Sequence, residues 1–124
     1  MSPADIVALV EEHQSKRATS TAQTITSGGT ASFSHNLGVQ PGNVRVRLKC
    51  TSAENGWSVG DIIYPDTAQT STADNRVNTI YSNLNSVVIR FSDKTNCFVG
   101  SNKTTGVGSL LTNSSWELYF EVFE

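Results

Sequence analysis

Between Asn43 and Thr51 the chain alternates without a fault: Val44, Val46, Leu48 and Cys50 are apolar, and Arg45, Arg47, Lys49 and Thr51 are polar. Successive side chains of a strand point to opposite faces, so period two over this length specifies a half-buried β-strand. The end of the chain repeats the pattern. From Ser115 to Phe123, Trp116, Leu118, Phe120 and Val122 share one face, and Glu117, Tyr119, Glu121 and Phe123 share the other. The polar face of the first strand is basic and that of the second carries two glutamates. Opposite charges across adjacent strands favour pairing by roughly 0.2–1 kcal/mol each. The charge pattern therefore predicts that these two strands are neighbours or meet across a subunit contact.

The stretches between them read the same way. Thr21–Thr26, Thr30–Ser34, Val77–Tyr81, Ser86–Phe91 and Asn96–Val99 are further strand candidates, and Trp57, Val59, Ile62 and Ile63 form an apolar patch interrupted by Gly60-Asp61. Asn55-Gly56 marks a tight turn, and an Asn-rich turn joins Tyr81 to Ser86. There is no βαβ rhythm and no repeat of fixed period. The expected fold is all-β: an antiparallel β-sandwich or jelly roll of about eight strands over residues 19–124.

In front of it, residues 1–18 predict one short N-terminal α-helix. Ser2 is a suitable N-cap, Pro3 suits the first helical position, and Asp5 completes a capping-box-like pattern. Ile6, Leu9, Val10 and His13 then fall on one stripe. A helix this short is marginal alone, so the stripe needs a surface to bury against. That surface is the chain's own β domain, copies of the same helix, or another protein. These four residues are the candidate anchor or oligomerisation stripe.

Ser, Thr and Asn make up 40 of the 124 residues and charged residues only 16 %. With ten aromatics and patterned Val and Ile, this is a hydroxyl-rich ordered body rather than a disordered one. The net charge of −2 gives no broad basic field, which speaks against nucleic acid as a partner. The apolar run Ile6–Val10 is too short to span a bilayer and lacks a basic flank, so neither membrane insertion nor a secretory signal is expected.

No catalytic cluster is visible. His13 and His35 have no metal-ligand spacing, no G-x-S-x-G elbow is present, and Asp61, Asp66 and Asp74 have no spacing that supports glycoside cleavage. A turn or capping role is expected for His35. Cys50 and Cys97 fit no metal spacing and are expected to be buried reduced thiols. The expectation is a non-enzyme without cofactors. Two long polar segments remain, Pro65–Arg76 and Ser101–Asn113. Long loops on a rigid scaffold carry function or make contacts between protomers. Tyr64, Asp66, Asn75 and Arg76 are the candidate ligand-binding residues of the first.

The run Ser34-His35-Asn36-Leu37-Gly38-Val39-Gln40-Pro41, then Val44–Cys50, then Gly56-Trp57-Ser58-Val59-Gly60-Asp61 resembles the β domains of bacteriophage tail-fibre and related virion surface proteins. Those often carry an (S)HxLGxxP segment, a strand, and a small-residue turn leading to G-(Y/W)-x-x-GD. The Trp116-Glu117-Leu118 strand is similar to the way such domains end. The resemblance spans roughly Phe33 to Phe123. It implies a virion structural protein with no enzyme activity, commonly a homotrimer, placed on a tail fibre or tail tip or decorating the head. Its implied partners are other capsid or tail proteins, and its implied location is the virion. The alternative is a module that recognises a host cell-surface glycan or protein. In physical terms, Leu37 suits a plug at the edge of the body, Gly38 permits a positive φ, and Pro41 stiffens the approach to the next strand.

Overall fold

A computed structural model describes residues 16–69 and 75–124. The expected helix, with Ile6, Leu9, Val10 and His13, lies outside the described residues, as does Asp74. Eleven short strands, more than the eight or so expected, and one 3-10 turn at Asn113–Ser115 make up the described elements. In chain order the strands are β1 (Arg17–Thr19), β2 (Thr30–Ser34), β3 (Asn43–Cys50), β4 (Ile62–Ile63), β5 (Ala68–Gln69), β6 (Arg76–Val77), β7 (Thr79–Ser82), β8 (Ser86–Arg90), β9 (Phe98–Ser101), β10 (Gly108–Leu111) and β11 (Trp116–Phe123). All pairings are antiparallel.

The two alternating segments are the backbone of the fold. β3 and β11 pair over their full length, in the four-stranded order β1-β11-β3-β4. Cys50, Leu48 and Val46 stand opposite Trp116, Leu118 and Phe120, and all six are buried. On the other face Arg45 stands opposite Glu121 and Lys49 opposite Glu117, so of the two arrangements that the charge pattern allowed, the strands take the first and are neighbours in one sheet.

A second sheet has the order β2-β8-β7. Its register brings Ala31, Ile89 and Ile80 into one row and Phe33 beside Val87. These residues join Leu48, Leu118 and Phe120 in one core, and the Phe33 ring stacks on Phe120 at 6.5 Å and 11°. The two sheets thus share a buried interior. Each fully buried Leu, Ile or Phe there contributes roughly 1.5–3 kcal/mol.

Turns follow local chemistry. Asn55 and Gly56 both take positive φ (50° and 80°), and Trp57 N–H donates to Glu54 O at 2.8 Å, the geometry of a two-residue primed turn. Asn83 Oδ1 accepts from the amides of Asn85 and Ser86 at 2.9 Å and so closes the β7–β8 turn. After β2, Gly38 takes φ +76° and Leu37 is buried. His35 is buried too: Leu37 N–H donates to its Nδ1 (3.1 Å), so its Nε2–H donates to Asn83 O (3.0 Å). One neutral tautomer thereby ties the turn after β2 to the turn before β8.

Four expectations need correction. Thr21–Thr26 is not a strand. Ser20 Oγ accepts the Phe120 amide at 2.9 Å, which interrupts the ladder, and only an isolated bridge from Gln23 to Leu118 follows. The edge strand on β11 is β1 instead, and it takes in Arg17 and Ala18, assigned from sequence to the helical segment. The segment from Ser101 to Asn113 is not mainly loop but a hairpin, β9–β10, with a turn built on Asn102, whose Oδ1 accepts from the amides of Thr104 and Thr105. The expected strand Val77–Tyr81 is split at Asn78 into β6 and β7. At the margin of the four-stranded sheet, Glu124 N–H donates to Lys16 O (2.8 Å) and Lys16 N–H to Glu124 Oε2 (3.1 Å).

Candidate functional site

β4 is only two residues long because Pro65 has no N–H with which to extend it. The chain leaves the sheet at Tyr64 and runs as a strap through Pro65, Asp66 and Thr67 to β5. Tyr64 is 58 % exposed and Asp66 is exposed. Clefts open on both sides of this strap.

On one side Asp66, Arg76, Asn78, Val99, Ser101 and Gly108 line a cavity of about 250 Å³. It continues into a cleft of about 290 Å³ bordered by Trp57, Ile63, Tyr64, Asp66 and Ser101. Asn78 holds its floor. Its backbone N–H donates to Thr67 O (2.8 Å), its amide Nδ2 donates to Thr67 O (3.1 Å) and Cys97 O (3.0 Å), and its Oδ1 accepts from Ser92 N–H (2.9 Å). A buried side chain that satisfies three backbone groups fixes three segments at once. Arg76 Nε donates to Asn96 O at 2.9 Å. At the rim Trp57 Nε1 donates to Ser101 O (3.0 Å), and Lys103 lies over the Trp57 ring at 5.7 Å. Lys103 also donates to Asp61 Oδ2 at 2.8 Å. That contact, helped by the Ser58 amide, holds the Asp61 carboxyl below its ordinary value.

On the other side the strap borders the outer face of the four-stranded sheet. Arg45 Nε and Nη2 donate to Glu121 Oε2 at 2.8 and 2.7 Å. Its guanidinium lies over the Tyr64 ring at 5.0 Å and the Phe123 ring at 5.3 Å. Arg47 lies over Tyr119 at 5.0 Å, with Nη1 3.5 Å from Glu121 Oε1. Glu121 is covered by these groups: its side chain is 9 % exposed although it points away from the core. A groove of about 290 Å³ runs here between Arg17, Arg45, Arg47, Tyr64, Glu121 and Phe123.

The structure thus brings Asp66 and Arg76 to one cavity and sets Tyr64 on the ridge between the two clefts. Asn75 is exposed and is not among the residues that line these clefts. Trp57, Asn78 and Ser101 were not singled out from sequence as site residues. Their part depends on β9 and β10 folding over the strap, which no local pattern signals. Cys50 and Cys97 are free and buried, as expected, and burial pushes the Cys50 thiol up. His35 is committed to its turn. Among the described residues no three His, Cys, Asp or Glu side chains are grouped to hold a metal ion.

No family model, curated protein or solved structure matches the chain.

Proposed function

We propose that the body is an antiparallel β-sandwich and that the chain is a bacteriophage virion structural protein, displaying this body on the particle surface as a homotrimer. It acts without cofactor or catalysis, on a tail fibre, a tail tip or the head. The segment bearing Ile6, Leu9, Val10 and His13 joins it to its own copies or to neighbouring capsid or tail proteins.

One observation carries this reading. The residues that resemble virion surface β domains form the framework of the body rather than a reaction centre. His35 and Leu37 are buried in the turn, Gly38 takes its positive φ, Val46 and Leu48 of β3 are core, and Gly56-Trp57 completes a tight turn. A motif whose side chains set turns and fill a core serves to hold shape.

The test has two arms. An antiserum raised against the protein is expected to label the exterior of purified particles in immunogold electron microscopy. Sedimentation of the full chain is expected to give a trimer. Particles that carry no label, or a chain that stays monomeric up to its solubility limit and off the particle, would overturn the proposal.

A second reading, recognition of a host-surface glycan, is favoured by the cavity that joins Asp66 and Arg76 beside Trp57 and Tyr64. Carboxylate, guanidinium and amide groups next to aromatic faces suit sugar hydroxyls and pyranose rings. Binding of the isolated protein to host envelope fractions, lost in Asp66→Ala, is the expected result. No binding to any fraction removes this reading.

A further inference from the structure

At the groove on the outer face of the β1-β11-β3-β4 sheet, cationic donors outnumber carboxylates. Arg17, Arg45 and Arg47 border the same groove, and Glu121 is the acid among them. Arg45 and Arg47 both turn to Glu121, while Arg17 has no ion pair among the described residues. Donors outnumber acceptors as well. Each guanidinium has five N–H groups, and Arg47 Nε is buried with no acceptor. The protein as a whole is acidic, so this is a local concentration of positive charge on a chain of opposite sign.

The arginines are also held in place. Arg45 is packed between two rings and fixed by two hydrogen bonds, yet its side chain is still 53 % exposed. A guanidinium that is immobilised but still open to solvent is preorganised for a carboxylate, because little freedom remains to be lost on binding. Tyr64 presents a largely exposed ring at the border of the groove, suited to the apolar face of a sugar. The volume of about 290 Å³ lies at the small end of ligand pockets, roughly 300–1,000 Å³, and restricts the occupant to a small ring or two.

We propose that this groove binds an acidic saccharide, with the carboxylate of a pyranose on the Arg17–Arg45–Arg47 cluster and the ring against Tyr64. The site is distinct from the Asp66–Arg76 cavity across the strap and does not depend on the display role. A second copy docked face to face is disfavoured, since it would set two such arginine clusters against each other.

The test is an NMR titration of the isotopically labelled full chain with trigalacturonate, maltotriose and inorganic phosphate. Trigalacturonate is expected to shift amides of residues 17–19, 45–47, 64 and 119–123, and the neutral trisaccharide to leave them unmoved. Arg17→Gln, at a side chain with no ion pair to lose among the described residues, is expected to weaken trigalacturonate by about threefold to fivefold. Glu121→Gln removes the competing carboxylate and is expected to tighten it, an effect opposite to that of damage to the fold. Asp66→Ala is expected to leave it unchanged. Equal binding of maltotriose, phosphate matching trigalacturonate in affinity, or Arg17→Gln without effect would overturn the proposal. So would an arginine variant that changes oligomer size rather than affinity, which would mark the face as a subunit contact.

Discussion

Replacing Arg45 tests whether the Arg45–Glu121 contact is a sealed pair or an ordinary surface one. An exposed pair contributes roughly 0.2–1 kcal/mol, whereas breaking a fully buried pair costs about 3–5 kcal/mol. Here the two partners differ: Glu121 is 9 % exposed and Arg45 53 %. Solvent screens the cation, but the carboxylate that would be left behind has almost no water and, among the described residues, retains only Arg47 at 3.5 Å. The two charge-assisted bonds at 2.7 and 2.8 Å therefore place the coupling between the limits, at roughly 1–2 kcal/mol. Arg45→Met keeps an apolar stem against Tyr64 and Phe123 but removes the fork and the cation–π contacts, worth about 0.5–1 kcal/mol at such sites. The single variant should lose about 1.5–3 kcal/mol in all. With a urea dependence of about 1.5 kcal/mol per molar, its unfolding midpoint falls by roughly 1–2 M. A double-mutant cycle with Glu121→Gln isolates the pair. Because the Glu121 carboxylate is almost out of solvent, mobile ions screen it far less than they screen an exposed pair, and more than about half of the coupling should survive in about 1 M salt. A coupling under about 0.5 kcal/mol, or one abolished by salt, would show that the carboxylate is solvated and that the covering of Glu121 has no energetic weight.

Asn78→Ala strands the Cys97 carbonyl and the Ser92 amide in the interior, and should cost about 2–4 kcal/mol in urea unfolding; a loss under 1 kcal/mol would mean that water replaces the amide. Gly56→Ala is strained at φ +80° and brings its Cβ within 3.2 Å of Thr104 Oγ1, so a loss of about 1–2 kcal/mol is expected by calorimetry. Gly108→Ala meets nothing within 4 Å and should stay within about 0.5 kcal/mol of the parent. The Asp61 carboxyl titrates below its unfolded value because of Lys103 and the Ser58 amide. Its contribution to stability is thus complete above the unfolded value and disappears as pH falls through the folded one. Lys103→Met should move the Asp61 carboxyl resonance to a higher midpoint, and an unchanged titration would disprove the contact in solution.

What could be read from the sequence was local. Period two in Val44–Cys50 and Trp116–Val122 fixed both faces of the two long strands, and the opposite charges on their polar faces pointed to a contact between them, within one sheet or across subunits, which the register shows to be within one sheet. Asn55-Gly56 and the Asn83 turn were legible because their geometry depends on residues next to each other. Thr21–Thr26 failed because a hydroxyl of Ser20, not a backbone carbonyl, takes the Phe120 amide. Gly108–Leu111 was hidden by its brevity, with Leu111 alone buried. The site was half visible. Asp66 and Arg76 stood out as polar groups in one long segment, and they do line one cavity. The covering of Arg45 by Tyr64 and Phe123 joins residues from three parts of the chain, and no periodicity carries that information.

The two hydrogen bonds between Lys16 and Glu124 bring the incoming and outgoing ends of the body to one corner. Polypeptide attached ahead of residue 16 or behind residue 124 would depart from the same spot, leaving the distant turns clear of the tether. Such a unit can be spliced into a loop of an unrelated scaffold without stretching either strand, in the manner of modules whose termini lie close together. Force applied through both ends would load β1 and β11 side by side, so their ladder would open one rung at a time, like a zip, rather than shear all at once.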